Sequence, residues 1–183
     1  MQVIISVTLC LTILISYCSA SSSSSSSSRQ NFSVIDLHHN KYQLLNDVEF
    51  LYQFPVKNPF TNDYHQPRGL LFLAHGCSHS ATDWFPRSMN CTKCLGLPVE
   101  QTIVKEALNQ KLIVLVITSV NRFNKCWSYS DVNRVAMVIN HMYNTVIPST
   151  IYSTISTLSL PLYLLGASSG GTSCYYYYYC YYC

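Results

Sequence analysis

Charge is scarce in this chain. Its 183 residues include only 11 Lys or Arg and 8 Asp or Glu, and the formal net charge is +3. No basic run occurs, so the chain lacks the clustered cations that a nucleic-acid partner requires. A long uninterrupted apolar run is also missing. The longest predominantly apolar stretch, Val3 to Ile15, is short of the ~20 residues that span a bilayer as a helix. No second Cys-x-x-Cys or His-x-x-x-His lies within finger spacing of Cys91-x-x-Cys94, which argues against a structural zinc site even though His75, Cys77, His79, Cys91 and Cys94 crowd together in sequence. No cofactor is expected.

The first 20 residues have the pattern of a secretory signal peptide: an apolar core and a small-residue cleavage site at Cys18-Ser-Ala20. After its removal no stable membrane span is expected, and the chain is assigned to the secretory pathway and the extracellular space. Ser21 to Ser28 is a pure serine run, so residues 21–30 form a spacer that cannot build a core. Cleavage removes Cys10 and Cys18 and leaves seven cysteines. In an oxidising compartment Cys77, Cys91, Cys94 and Cys126 are expected to form disulfides. Cys77–Cys126 with Cys91–Cys94 is one connectivity and Cys91–Cys126 belongs to another; sequence does not choose between them. Asn31-Phe-Ser33 and Asn90-Cys-Thr92 are glycosylation acceptors.

Hydrophobic periodicity places the rest. Tyr42 to Phe54 supplies one or two strands, with a hairpin turn at Asn46-Asp47. Asn58-Pro59 and Asn62-Asp63 mark a loop. Gly69 to Ala74 is a continuous apolar run, as in a strand buried on both faces. Pro98 opens a helix to Gln110, and Leu112 to Ile117 is a second buried strand. Ser130 is a candidate N-cap for a helix whose apolar face carries Val132, Val135, Ala136, Ile139, Met142, Tyr143 and Val146, and which Pro148 ends. Leu160 to Leu165 is a third buried strand. The order strand, helix, strand, helix, strand predicts an α/β fold with a mostly parallel sheet and functional loops at the carboxyl ends of its strands.

The third strand stops at Gly166-Ala-Ser-Ser-Gly170. A buried strand feeding Gly-x-Ser-x-Gly is the nucleophile elbow of serine hydrolases, in which a strained turn presents the serine hydroxyl at the top of the sheet. His75-Gly-Cys77, Arg122 to Trp127 and Ser168 all fall at this same rim. Together these residues resemble an α/β hydrolase. More closely, His75-Gly-Cys77, Ser80-Ala-Thr-Asp-Trp84, Cys126-Trp127 and the elbow resemble secreted esterases of the polyhydroxybutyrate depolymerase and feruloyl esterase type, over residues 69 to 173. The resemblance implies that residues 31–174 are the N-terminal half of an α/β-hydrolase sheet, truncated after the elbow. It implies that Ser168 is the nucleophile and that the backbone N–H groups of Cys77 and Ser169 form the oxyanion hole. The implied substrate is an ester, small or polymeric.

Trp84 and Trp127 either line an acyl or aromatic pocket or cover loop packing. Asp131 reads as a helix-start residue, and Arg122 and Lys125 as solvated loop charges.

The segment beyond Ser168 departs from the pattern. In this fold the acid and then the histidine of the triad come after the serine. No Asp, Glu or His follows Ser168, and His38, His39, His65, His75, His79 and His141 all precede it. Residues 175–183 are a Tyr/Cys low-complexity tail holding seven of the 15 tyrosines, where a helix covering the sheet is expected. Motif position therefore leaves two alternatives. One is a serine esterase whose acid and base are encoded beyond the present end, so that this chain is inactive. The other is a non-catalytic hydrolase-like binding protein, or a fragment without function.

Overall fold

The computed structural model describes residues 35–55, 66–150 and 160–182. The expected signal peptide, the serine spacer, the Asn31 acceptor, the loop at Asn58 to Asp63 and most of the Ser/Thr-rich connector before the third buried strand lie outside the described residues.

Five strands form one sheet: β1 (Lys41–Leu45), β2 (Val48–Gln53), β3 (Gly69–Ala74), β4 (Leu112–Ile117) and β5 (Leu162–Gly166), in the order β1-β2-β4-β3-β5. Among the described residues three α-helices accompany them: α1 (Pro98–Asn109), α2 (Val132–His141) and α3 (Ser169–Tyr182). The fold is α/β, as the pattern predicts. The expectation of a mostly parallel sheet needs correction. β3 pairs in parallel with β4 and with β5, but β1–β2 and β2–β4 are antiparallel, so the sheet is mixed. The cause is local. Asn46 and Asp47 both have positive φ, 46° and 61°, the left-handed pair that a tight two-residue hairpin demands. The turn folds β1 back on β2, and the hairpin docks on the outer edge of β4.

β3 to β4 takes one crossover through α1, and β4 to β5 takes another through α2. The crossovers lie on opposite faces of the sheet. On one face Phe50, Leu70, Phe72, Ile113 and Leu115 pack with Val135 and Ile139 of α2, with Met142 just past its end and with Tyr177 of α3. On the other, Leu51, Leu71, Leu73, Val114 and Val116 pack with Val104 and Leu108 of α1 and with Trp84, Phe85, Cys91 and Cys94 of the long loop after β3. Burial on both faces explains why β3 and β4 are continuous apolar runs rather than alternating ones.

α2 does not start at Ser130. Ser128 caps a single 3-10 turn, Tyr129–Asp131, in a capping box with Asp131, and that turn leads into α2. Asp131 is buried and also accepts the Val120 N–H at 2.6 Å, which makes it a helix-start residue that ties down the loop after β4. Past His141 the helix widens into a π turn, Met142–Val146, closed by Ile147 N–H to Met142 O. Pro148 then follows at the end of that turn.

The tyrosine run is helical. Its composition favours strands, yet α3 begins at the elbow, and Ser173 and Tyr177, four residues apart on one face, are both buried. β5 is the sheet edge among the described residues, but neither of its faces is bare. Leu164 packs on the α2/α3 side, and Tyr163 and Leu165 pack on the α1 side.

Candidate active site

β3, β4 and β5 all end at the same rim. The loop after β3 runs to α1 on one face, whereas those after β4 and β5 run to α2 and α3 on the other. Such a divergence opens a crevice at the carboxyl ends of the strands. Ser168 stands there, exposed, with φ +53° between β5 and α3. A non-glycine residue in the left-handed region is strained, and such strain concentrates at functional turns.

Gly166 and Gly170 make this turn possible. A Cβ on Gly170 would lie 2.3 Å from Ala74 O and 2.6 Å from His75 O, and one on Gly166 would lie 2.3 Å from Gly170 C and O. The first turn of α3 therefore rests directly on the backbone at the end of β3. The Ala167 N–H donates to Ala74 O at 3.0 Å and extends the β3–β5 pairing by one residue.

Ser169 gathers the three strand ends. Its hydroxyl accepts the Trp127 N–H at 3.4 Å and lies 3.4 Å from Cys77 Sγ. Cys77 is bonded to Cys126 and Cys91 to Cys94, which settles the connectivity left open by sequence. Asn124 O accepts the Ser78 N–H at 2.8 Å beside the first bridge. The backbone N–H groups of Cys77 and Ser169 have no acceptor among the described residues. Since backbone donors are nearly always paired when buried, two open ones at a rim are available to a ligand oxygen.

His75 is buried, and both of its ring nitrogens are engaged. Nδ1 lies 2.7 Å from Gly76 O and must donate to it, so Nε2 is the acceptor for the Ser119 N–H at 3.1 Å. Burial lowers its pKa, opposed by the bond to Gly76 O. This histidine is a fixed, neutral brace. Trp127 lies beside it, its ring tilted by 41° at 5.0 Å between centroids, and donates its indole N–H to His75 O at 2.8 Å. Trp127 and Trp84 are both buried, so they pack loops rather than line an open pocket.

His79 is the residue that chain order sets aside. Its Nδ1 lies 3.1 Å from Asp83 Oδ2, and its side chain is 42% exposed while that of Asp83 is 7% exposed. Asp83 also accepts the Ser80 N–H at 3.1 Å, and the Ala81 N–H is held by Thr118 Oγ1 at 3.0 Å. Thr118 in turn donates to buried Glu49 at 2.7 Å. Burial alone would raise the Glu49 pKa, but hydrogen bonds from Lys93 and Thr118 outweigh it and the net shift is downward. Arg122 reaches the same carboxylate at 4.0 Å, so Lys93 and Arg122 are loop charges with a buried partner.

An ideal Cβ on Gly76 would lie 3.7 Å from Ser168 Cβ and 3.9 Å from His79 Cδ2. Ser168 and His79 are thus both neighbours of the Gly76 position, although 88 intervening residues separate them in sequence. The sequence signal was present, in that His79 and Asp83 are four apart just after a strand whose loop reaches the rim. His141 instead packs near Phe50, and His38 and His39 sit beside Asp36.

Cys174 is a free thiol whose pKa burial pushes up to about 12, which makes it inert as a nucleophile. Asn90 lies on an exposed turn between Ser88 and Cys91. A surface hollow lined by Tyr129, Val132, Asn133 and Cys180 does not include Ser168 or the elbow. Among the described residues no helix is long and apolar enough to cross a membrane. No family model matches the chain, and no curated protein matches it either.

Proposed function

We propose that the chain is a secreted serine carboxylic-ester hydrolase-like protein, built on the N-terminal half of an α/β-hydrolase sheet, with Ser168 as the nucleophile. The observation that carries this is the elbow itself. An exposed serine at φ +53° joins a strand to a helix, with glycines on either side whose Cβ positions are occupied by backbone. Attack of Ser168 Oγ on an ester carbonyl would give an acyl-enzyme, and the open N–H groups of Cys77 and Ser169 would hold the oxyanion. One such donor is typically worth ~2.7–4 kcal/mol of transition-state stabilisation. Two disulfides and the exposed Asn90 acceptor support passage through the secretory pathway.

A second function has one observation in its favour: His75, buried at this rim, has both ring nitrogens engaged and no lone pair to offer Ser168. A non-catalytic binding protein would keep the scaffold without the chemistry. The test is covalent labelling of the full chain by a serine-reactive phosphonate, with mass spectrometry to locate the adduct. Adduct on Ser168, absent in Ser168→Ala, is the expected result. A folded chain that stays unlabelled would favour the binding protein.

A further inference from the structure

We propose that the Cys77–Cys126 disulfide is a redox latch on this rim: a dithiol reductant opens it and frees the loops after β3 and β4, while the sheet beneath stays folded. Its effect on ester chemistry rests on the function proposed above; the latch itself does not. The bridge joins loops that leave two different strands, and one of its cysteines carries an open backbone N–H. Beside it the Ser78 N–H donates to Asn124 O at 2.8 Å, and the Trp127 N–H donates to Ser169 Oγ at 3.4 Å. Residues 120–124 are all exposed, so the loop after β4 has little apolar packing of its own to hold it. The covalent link is what keeps these hydrogen bonds in place.

The two bridges differ in access. Cys91 and Cys94 are 2% and 3% exposed within the apolar cluster on the α1 face, whereas Cys77 and Cys126 are half-buried at the rim. Exchange requires a thiolate to reach a sulfur, and the sulfur whose thiolate is better stabilised leaves. Cys77 Sγ lies 3.4 Å from Ser169 Oγ, at the N-terminus of the 14-residue α3. The Ser169 hydroxyl can donate to a thiolate there, and the helix end favours its charge. Cys126 Sγ instead lies 3.7 Å from Asn124 O, an acceptor that disfavours a thiolate. Attack therefore falls on Cys126, and Cys77 leaves. Neither free thiol of the described residues opens the bridge from within. Cys174 is buried, its pKa pushed up to about 12. Cys180 lies 11 residues along α3 from Ser169, a distance of about 16 Å. The latch waits for an external dithiol.

The chemistry balances. One sulfur of the dithiol, as thiolate, bonds Cys126 Sγ; the Cys77–Cys126 bond breaks and its electron pair goes to Cys77 Sγ. The second sulfur of the reductant loses its proton and attacks the first. That step forms the reductant's own S–S bond and expels Cys126 Sγ as a thiolate. The reductant is oxidised by two electrons, and the protein is reduced by the same two. The two protons of the dithiol pass through water to Cys77 and Cys126.

The experiment titrates the full chain with dithiothreitol, alkylates it with iodoacetamide and maps the modified cysteines by mass spectrometry, with amide hydrogen exchange followed on the same samples. Cys77 and Cys126 should be alkylated at dithiothreitol concentrations about tenfold or more below those that expose Cys91 and Cys94. The Ser78 and Asn124 amides should then exchange about tenfold or more faster, while those of Val114 and Leu115 within β4 stay protected. Glutathione, a monothiol, should leave its mixed disulfide on Cys126, and Ser169→Ala should slow reduction several-fold. The double variant Cys77→Ser with Cys126→Ser should show the fast exchange without reductant and no response to it. If Cys91 and Cys94 are exposed as early, if the Ser78 and Asn124 amides do not change, or if β4 loses protection with them, the latch is overturned. A mixed disulfide on Cys77 overturns the direction of attack. Phosphonate labelling of Ser168 that falls on reduction and returns on reoxidation joins the latch to the ester chemistry. A chain that opens on reduction yet labels in neither state refutes the nucleophile and leaves the latch standing.

Discussion

Replacing Gly170 by alanine should damage this protein far more than the same change one residue later. The added methyl on residue 170 would sit 2.3 Å from Ala74 O and 2.6 Å from His75 O. Both are main-chain oxygens at the end of a central strand, so neither can swing aside. Restoring ordinary contact near 3.5 Å requires a shift of about 1 Å between α3 and β3. Overpacking of this kind typically costs about 1–3 kcal/mol, with rigid neighbours at the upper end. The same shift stretches the Ala167 N–H bond to Ala74 O, adding about 1 kcal/mol. The sum of about 3–4 kcal/mol is a large part of a typical stability of ~5–15 kcal/mol. At Gly171 the nearest atom to an added Cβ is Gly166 O at 3.5 Å, an ordinary contact, and alanine there favours the helix by up to about 1 kcal/mol. In urea, with a slope near 2 kcal/mol/M, Gly170→Ala should unfold about 1.5–2 M earlier than wild type and Gly171→Ala no earlier. Similar midpoints for Gly170→Ala and wild type would refute the seating of the elbow on β3.

Removing the Cys77–Cys126 bridge by paired serine substitution releases a loop with a separation of 49 residues, and loop-closure entropy puts the loss at about 4 kcal/mol; Cys91–Cys94, with a separation of 3, should cost roughly half as much, and equal shifts in urea midpoint would count against this. The lowered pKa of Glu49 gives a signed pH effect. A depressed carboxylate contributes stability above its unfolded value near ~4.3 and loses it as pH falls through the folded value, so Glu49→Gln should flatten the acid limb of a midpoint-against-pH curve, and an unchanged limb would refute the buried network. His75, lowered by burial, contributes stability above its ordinary ~6.5 that is lost progressively below it; its ¹⁵N shifts should stay those of the neutral Nδ1–H tautomer at pH 6.5, where an unperturbed imidazole is half charged, and an averaged signal would show that the ring is not held.

Periodicity located what depends on neighbours in sequence. β4 spans Leu112–Ile117 and α1 begins at Pro98, as the apolar pattern and the proline indicate. The hairpin at Asn46-Asp47 was readable because both residues tolerate left-handed φ. Gly166 and Gly170 were readable because only a backbone-to-backbone approach needs glycine on both sides of a serine. The helical state of the tyrosine run was hidden because its composition is uniform, so no periodicity separates a buried face from an exposed one. Its fold comes from Gly170 seating the first turn on β3 and from Ser173 and Tyr177 facing inward. The Ser128 cap is hard to tell from Ser130 by sequence because both serines lie within three residues of Asp131, and only the buried Asp131 carboxylate selects between them.

The nearness of the loop after β3 to the elbow was hidden for a different reason. In this sheet β5 returns past β4 to pair with β3, so the loop at the end of β3 becomes the nearest neighbour of the elbow. One loop then brings Cys77 and the His79–Asp83 pair to the rim that carries Ser168. Its position is secured by a disulfide to the loop after β4 and by the Ala81–Thr118–Glu49 chain of bonds to β4's end and β2. A loop so held is a rigid support for the groups it carries, because residues on it inherit the fixed geometry of its anchors.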